Sequence, residues 1–245
     1  MSQTLGAIGF DADDTLWHNE RFFKLTQERF AELLEPYADT RDLDARLMQA
    51  EMRNLRHYGF GIKGFVLSMI ETALDVTDRR VPGDVIADLI VAGQDMLQHP
   101  IDLLPHAKDA VRAAKVHAPV LLITKGDLLD QERKLAQSGL GELFDGIEIV
   151  SDKQPHVYAR IFESFGGATA GMMIGNSMKS DVLPMIDAGG FGVFVPHDLK
   201  WDFEEAQPPH DHPRYAEIPD LGALSEHLRQ VTLNGGSKGK LINIE

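Results

Sequence analysis

The sequence predicts an α/β protein, a doubly wound parallel sheet with an all-helical domain inserted into it. Three observations carry that prediction. Short apolar runs recur along the chain, each ending in polar residues, at 5–10, 119–123, 147–150 and 171–174. Helix-forming stretches separate the later runs, and strands alternating with helices imply parallel pairing. Between the first and second runs, residues 17–100 change to helical periodicity with mixed charge.

The first strand is the run 5–10, leading into Gly9-Phe10-Asp11-Ala12-Asp13-Asp14-Thr15-Leu16. Near-continuous apolar character without alternation is what a strand buried on both faces requires. The insertion then shows apolar positions at Phe22, Phe23, Leu25, Phe30, Leu33 and Leu34, and again at Leu43, Leu47, Met52 and Leu55. Two more helices are expected at 64–75 and 83–97, the latter with Val85, Ile86, Leu89, Ile90 and Leu97 as its stripe. Pro82-Gly83 and Pro100 punctuate the stretch. The core resumes at Ile101, with a helix over 107–117 feeding the second strand. Further helices are expected at 130–138, 157–165 and 180–188, the first closed by Gly139, the second by Gly166-Gly167, the third by Gly189-Gly190. Residues 191–195 form a fifth strand. The domains are therefore a core of 1–16 and 101–245 and a helical insertion of 17–100, with no internal repeat.

Composition bounds the function. A chain of 245 residues can bury a full core with a smaller companion domain. With 24 basic and 38 acidic residues the net charge is −14, which argues against a nucleic-acid backbone binder. An anionic substrate must then be received by a local positive spot. The absence of cysteine excludes disulfides, thiolate metal sites and cysteine nucleophiles. No segment approaches the ~20 apolar residues of a membrane span, and the N-terminus has no basic, apolar leader pattern. A cytoplasmic protein that does not bind membranes, monomeric or homodimeric, is the expectation.

In an open parallel sheet, ligands bind outside the carboxyl ends of the strands near the point where strand order reverses. The polar residues ending the four runs are Asp11 and Asp13, then Thr124-Lys125-Gly126-Asp127, then Ser151-Asp152-Lys153-Gln154-Pro155, then Gly175-Asn176-Ser177-Met178-Lys179-Ser180-Asp181. Carboxylate, hydroxyl, lysine, and carboxamide plus carboxylate in that order form a candidate site. The order Asp-x-Asp-x-Thr, hydrophobic-Thr-x-Gly, Lys-x-Pro and Gly-Asn-Ser-x-x-Ser-Asp resembles the haloacid dehalogenase (HAD)-like hydrolase superfamily. It looks most like its phosphatase branch with a helical cap, and it spans residues 11–181.

The resemblance implies a Rossmann-like core and a Mg²⁺-dependent phosphatase that hydrolyses a small phosphorylated metabolite. Asp11 would be the nucleophile that accepts the phosphoryl group, and Asp13 the general acid and base. Family members that dehalogenate carbon lack this second aspartate, because a halide leaving group needs no proton. Mg²⁺ would be held by Asp11, the main-chain carbonyl of Asp13, and the Asn176/Asp181 pair. Asn176 departs from the family pattern, where many members carry a second aspartate; a neutral carboxamide supplies less charge, so more weight falls on Asp181. Thr124 would bond a phosphoryl oxygen with the amides at Lys125-Gly126, and Lys153 would offset the transferring charge. Rival readings are phosphoryl transfer between sugar hydroxyls, carbon–phosphorus cleavage, or a catalytically weak regulatory protein that keeps the fold.

Other residues read as structural: Asp14 bonding turn amides, Asp127 in a helix first turn, and Thr15 fixing the loop through its hydroxyl. Lys125 is equally well a surface charge. The segment His57-Tyr58-Gly59-Phe60-Gly61-Ile62-Lys63-Gly64-Phe65 interrupts the helical stretch. It reads as a flexible connection, or as a cap loop whose Tyr58 or Lys63 touches the substrate. His210 and His212 lie in a proline-rich loop without an evident third ligand and read as solvated. The tail at 234–240 reads as flexible.

Overall fold

The computed structural model describes residues 4–199, 201 and 204–234, the side chains of 232–234 excepted. The chain divides into two compact units: Met1–His18, Ile101–Lys125 and Arg133–Glu245 form one, and Asn19–Pro100 with Gly126–Glu132 the other.

The first unit is built on six parallel strands: β1 (Ala7–Phe10), β2 (Val120–Lys125), β3 (Gly146–Val150), β4 (Gly171–Gly175), β5 (Phe191–Phe194) and β6 (Tyr215–Glu217), in the order β3-β2-β1-β4-β5-β6. Order reverses at β1, which pairs Phe10 with Leu122 of β2 and with Ile174 of β4. The helices of this unit are α5 (Ala107–Lys115), α7 (Pro155–Phe162), α8 (Leu183–Asp187) and α9 (Leu224–Asn234), and α6 (Leu128–Ser138) begins in the second unit and ends in the first.

Period-two geometry explains the apolar runs. Ile8, Phe10, Val120, Leu122, Met172 and Ile174 face one side, packed with Ala110, Val111 and Ala114 of α5 and Leu224 and Leu228 of α9. Ala7, Leu121, Ile123 and Met173 face the other, against Tyr158, Ile161 and Phe162 of α7 and Met185 of α8. Each Val, Leu, Ile, Phe or Met among them stabilises the fold by roughly 1.5–3 kcal/mol when fully buried.

Three details differ from the sequence expectation. β6 follows a long loop and has three residues, too short for a periodic signal. The helix expected at 180–188 is a π-helical turn, Met178–Val182, running into α8. Trp17, assigned by composition to the insertion, is fully buried in the sheet unit's core, where it bridges to Leu103.

The second unit holds α1 (Glu20–Leu34), α2 (Leu43–Tyr58), α3 (Ile62–Val76) and α4 (Gly83–Gln98) around Phe30, Leu34, Leu47, Phe65, Met69 and Leu89. The connection between α2 and α3 is only Gly59-Phe60-Gly61, with both glycines at positive φ (71° and 126°). Lys63 and Gly64, read from sequence as part of a connection, belong to the first turn of α3. Of the tail at 234–240, Asn234 ends α9 and the remainder lies outside the described residues.

Candidate active site

β1 ends at Phe10, so Asp11 is the first residue beyond the sheet, and its amide still donates to Ile174 O at 2.9 Å. Asp11 is buried, as are Asp181 and Lys153. Lys153 Nζ donates to Asp11 Oδ1 at 2.5 Å and to Asp181 Oδ1 at 2.6 Å. Two buried carboxylates thus share one ammonium. Burial, joined by the Asp181 carboxylate, outweighs Lys153 and pushes the Asp11 carboxyl up to about 7. For Lys153 burial works against the charge, but Asp11 and Asp181 outweigh it and hold the ammonium above its ordinary value. The cluster carries a net negative charge in a buried site, which a proton or a cation would relieve.

Asp181 is placed by the turn after β4. Its Oδ2 accepts from the Ser177 amide at 2.9 Å, and a Cβ at Gly175 would lie 2.2 Å from that same oxygen. Only glycine at the end of β4 admits the carboxylate so close to the backbone.

Asn176 and Thr15 join the two loops. The Asn176 amide donates to Thr15 Oγ1 at 3.0 Å, and that hydroxyl donates to Asp11 Oδ2 at 3.1 Å. One end of the Asn176 carboxamide stands 3.1 Å from Thr15 Oγ1, 3.2 Å from Asp11 Oδ2 and 3.2 Å from the main-chain oxygen of Asp13. Those neighbours are acceptors, so they suit either the amide nitrogen or, with the carboxamide oxygen turned toward them, a hard cation among oxygens. The donor set and its uncompensated charge fit a divalent cation of the Mg²⁺ type. Sequence placed the greater weight on Asp181, but its two oxygens are engaged by Lys153 and the Ser177 amide, which leaves Asn176 nearer the other oxygens.

Asp13 has a different environment. Trp17 Nε1 donates to its Oδ1 at 2.7 Å, and Lys134 Nζ donates to Oδ1 at 3.0 Å and Oδ2 at 3.1 Å. Thr124 is buried at the penultimate position of β2, two residues past the Leu122 that pairs with Phe10. Gly126 follows at φ 139°, a conformation that favours glycine.

Lys125 turns to a second polar group. Its Nζ pairs with Glu204 and donates to Ser180 Oγ at 2.8 Å, while Ser177 Oγ and Ser180 Oγ also donate to Glu204. Burial works against the Glu204 charge, yet Lys125 and the two hydroxyls hold this carboxyl below its ordinary value. Lys125 is therefore not the loose surface charge that was one of its two readings.

Several other expected residues have structural engagements. Asp127 accepts from the Asp130 amide at 3.3 Å and pairs with Lys63 at 2.8 Å, both within the helical unit. Tyr58, at the end of α2, is exposed. Asp14 occupies the left-handed region at φ 57° and its amide donates to Trp17 O at 2.7 Å; its carboxylate stands 3.7 Å from His197 Nε2. His210 and His212 are exposed, the latter's Nδ1 accepting from the Arg214 amide at 3.2 Å.

Sequence reading missed Lys134, Trp17 and Glu204. Lys134 left a signal: it sits beside Leu135 on the inward face of α6, and a lysine there is rarely buried without a partner. Glu204 left none, since no apolar periodicity surrounds it in the sequence.

A family model described as "Hydrolase: haloacid dehalogenase-like hydrolase" matches residues 5–189. A search of curated proteins found no match. Among solved structures, a haloacid dehalogenase-like family hydrolase from Xanthomonas campestris is similar at 38% identity, covering 96% of this chain and 94% of that one, with a TM-score of 0.86. The putative HAD-hydrolase YfnB from Bacillus subtilis, solved bound to magnesium, is 20% identical over 92% of this chain and 99% of that one, with a TM-score of 0.66. An L-2-haloacid dehalogenase from Xanthobacter autotrophicus is 16% identical over 92% and 99%, with a TM-score of 0.63. The last two share the fold.

Proposed function

This chain belongs to the haloacid dehalogenase-like hydrolases, and we propose that within them it is a Mg²⁺-dependent phosphatase acting on a small phosphorylated metabolite. The observation that carries the proposal is the carboxylate at Asp13. It stands two residues from Asp11, and Trp17 and Lys134 fix both its oxygens. A halide departs from carbon without a proton, whereas an alkoxide leaving phosphorus needs one, so a second carboxylate serves phosphate chemistry.

The steps follow from those two carboxylates. An Asp11 oxygen attacks phosphorus, the bond to the substrate alkoxide breaks, and Asp13 gives that oxygen a proton. Water then attacks the acyl phosphate, Asp13 takes the proton back, and the Asp11–phosphorus bond breaks to release phosphate. Lys153 keeps a fixed positive charge beside Asp11 throughout, and Thr124 with the following amides would receive phosphoryl oxygens. Asp11, the Asp13 carbonyl and Asn176, with Asp181 behind them, would hold Mg²⁺. When bound, the ion would neutralise charge on the phosphoryl oxygens.

The test is a pair of assays on the purified chain: phosphate release from an aryl phosphate with Mg²⁺ or with chelator, and halide release from a 2-haloacid. We expect Mg²⁺-dependent phosphate release and no halide. Halide release without phosphate release would overturn the reading. A panel of phosphoglycolate, sugar phosphates and nucleotides would then rank substrates.

A further inference from the structure

A group of side chains outside the proposed hydrolytic site has metal-ligand character. Asp14, His18 and His197 bring one carboxylate and two imidazoles together with their ligand atoms all within 4.8 Å of one another. Asp14 is buried and the histidines are partly buried. The two rings lie 5.8 Å apart between centroids at 64°, so they approach from different directions.

Two sets of contacts fix how the His197 ring is held. His197 Nε2 stands 3.7 Å from Asp14 Oδ1, too long for a hydrogen bond. It is close to the separation of about 3.3 Å between two ligands on a tetrahedral ion with bonds near 2.0 Å. On the far side of the ring, His197 Nδ1 lies 2.9 Å from Leu199 O and 3.2 Å from the Leu199 amide nitrogen, so Leu199 can meet either tautomer. A metal at Nε2 would select the tautomer in which Nδ1–H donates to the carbonyl, the usual backbone support of a metal-bound histidine.

We propose that Asp14, His18 and His197 form a divalent transition-metal site, with Zn²⁺ the best match, separate from the oxygen-lined position at Asp11. Imidazole nitrogens select Zn²⁺ and its neighbours over Mg²⁺, and three protein ligands leave a fourth position for water. The site ties the loop after β5 to the turn that carries Asp13. Its role is to hold that turn in its left-handed conformation at Asp14, and it takes no part in the transfer steps.

The proposal is tested by zinc competition against a chelating dye in excess Mg²⁺, with metal content measured after dialysis and the Co²⁺ form examined by visible absorption. We expect one Zn²⁺ per chain and Co²⁺ bands of low-coordinate type. His197→Gln, His18→Gln and Asp14→Asn should each weaken binding by more than about 100-fold, beyond the loss expected from an outer-shell partner. Metal-free melting temperatures check that each variant folds, and Asp14→Asn suits the positive φ. The double variant of His210 and His212 to Ala should bind as the parent does. Asp11→Asn, which should end phosphate release, should retain zinc, so the two proposals fail independently. No bound zinc, or zinc indifferent to His197→Gln, or zinc lost with Asp11→Asn or with the loop histidines, would overturn the proposal.

Discussion

Two lysine–carboxylate clusters sit past the ends of the parallel strands, and their charge counts differ. Around Lys153, two buried carboxylates share one ammonium; around Lys125, among the described residues, Glu204 meets one ammonium and two serine hydroxyls. The acids respond in opposite directions, Asp11 pushed up to about 7 and Glu204 held below its ordinary value. Burial opposes both charges, so burial does not distinguish them. The count of compensating donors does, and a cluster short of positive charge is where a cation or a phosphoryl group with its metal belongs.

The largest expected effect is on chemistry. Asp11→Asn should reduce aryl phosphate turnover to background, measured by phosphate release, whereas Glu204→Gln should leave the same assay measurable. Near-parental turnover in Asp11→Asn would sink the mechanism. Asp13→Asn should lower turnover by roughly 10²–10⁴, the usual contribution of general acid–base catalysis. The loss should shrink with good leaving groups, so an equal loss across leaving groups of different basicity would argue against proton transfer.

Stability should separate the clusters next. Lys153→Met leaves two buried carboxylates together and should destabilise metal-free protein by about 3–5 kcal/mol in denaturant unfolding, in the range for a broken buried pair. Lys125→Met leaves Glu204 with both serine donors, and the loss should be about 1–3 kcal/mol. Equal losses would mean that charge count is not what distinguishes them.

The pH dependences should have opposite signs. Asp11 has a raised folded value, so the folded metal-free chain keeps a proton that the unfolded chain has released. Its contribution therefore falls as pH rises from the ordinary 3.8 to about 7. Glu204 has a lowered folded value, so its contribution is present above the ordinary 4.5 and is lost as pH falls through the folded value. If Asp11 ligates Mg²⁺ as proposed, the ion would compete with its proton, and Mg²⁺ affinity by calorimetry should drop about tenfold per pH unit below about 7. A pH-independent affinity would remove Asp11 from the ligand set.

The smallest effect belongs to the helical unit. The Lys63–Asp127 pair is 57% and 26% exposed, and Lys63→Ala should cost no more than about 1 kcal/mol. A larger loss would show that α3 depends on this pair more than an exposed contact allows.

Sequence alone established the parallel α/β class and the order of the site's residues. Asp11, Thr124, Lys153, Asn176 and Asp181 each follow an apolar run, and that pattern is local: a buried strand needs continuous apolar side chains and its end does not. Tertiary structure decided the partners. Lys134 reaches Asp13 across 121 residues and Glu204 reaches Lys125 across 79, separations at which neither carries a motif. It also decided that Trp17 closes on the Asp13 loop rather than joining the insertion, that Asn176 faces the Asp11 and Asp13 oxygens, and that His197 stands across from Asp14 while the paired histidines at 210 and 212 remain in solvent. Strand periodicity is written in neighbouring residues, whereas charge compensation depends on which distant groups burial brings within a few ångströms.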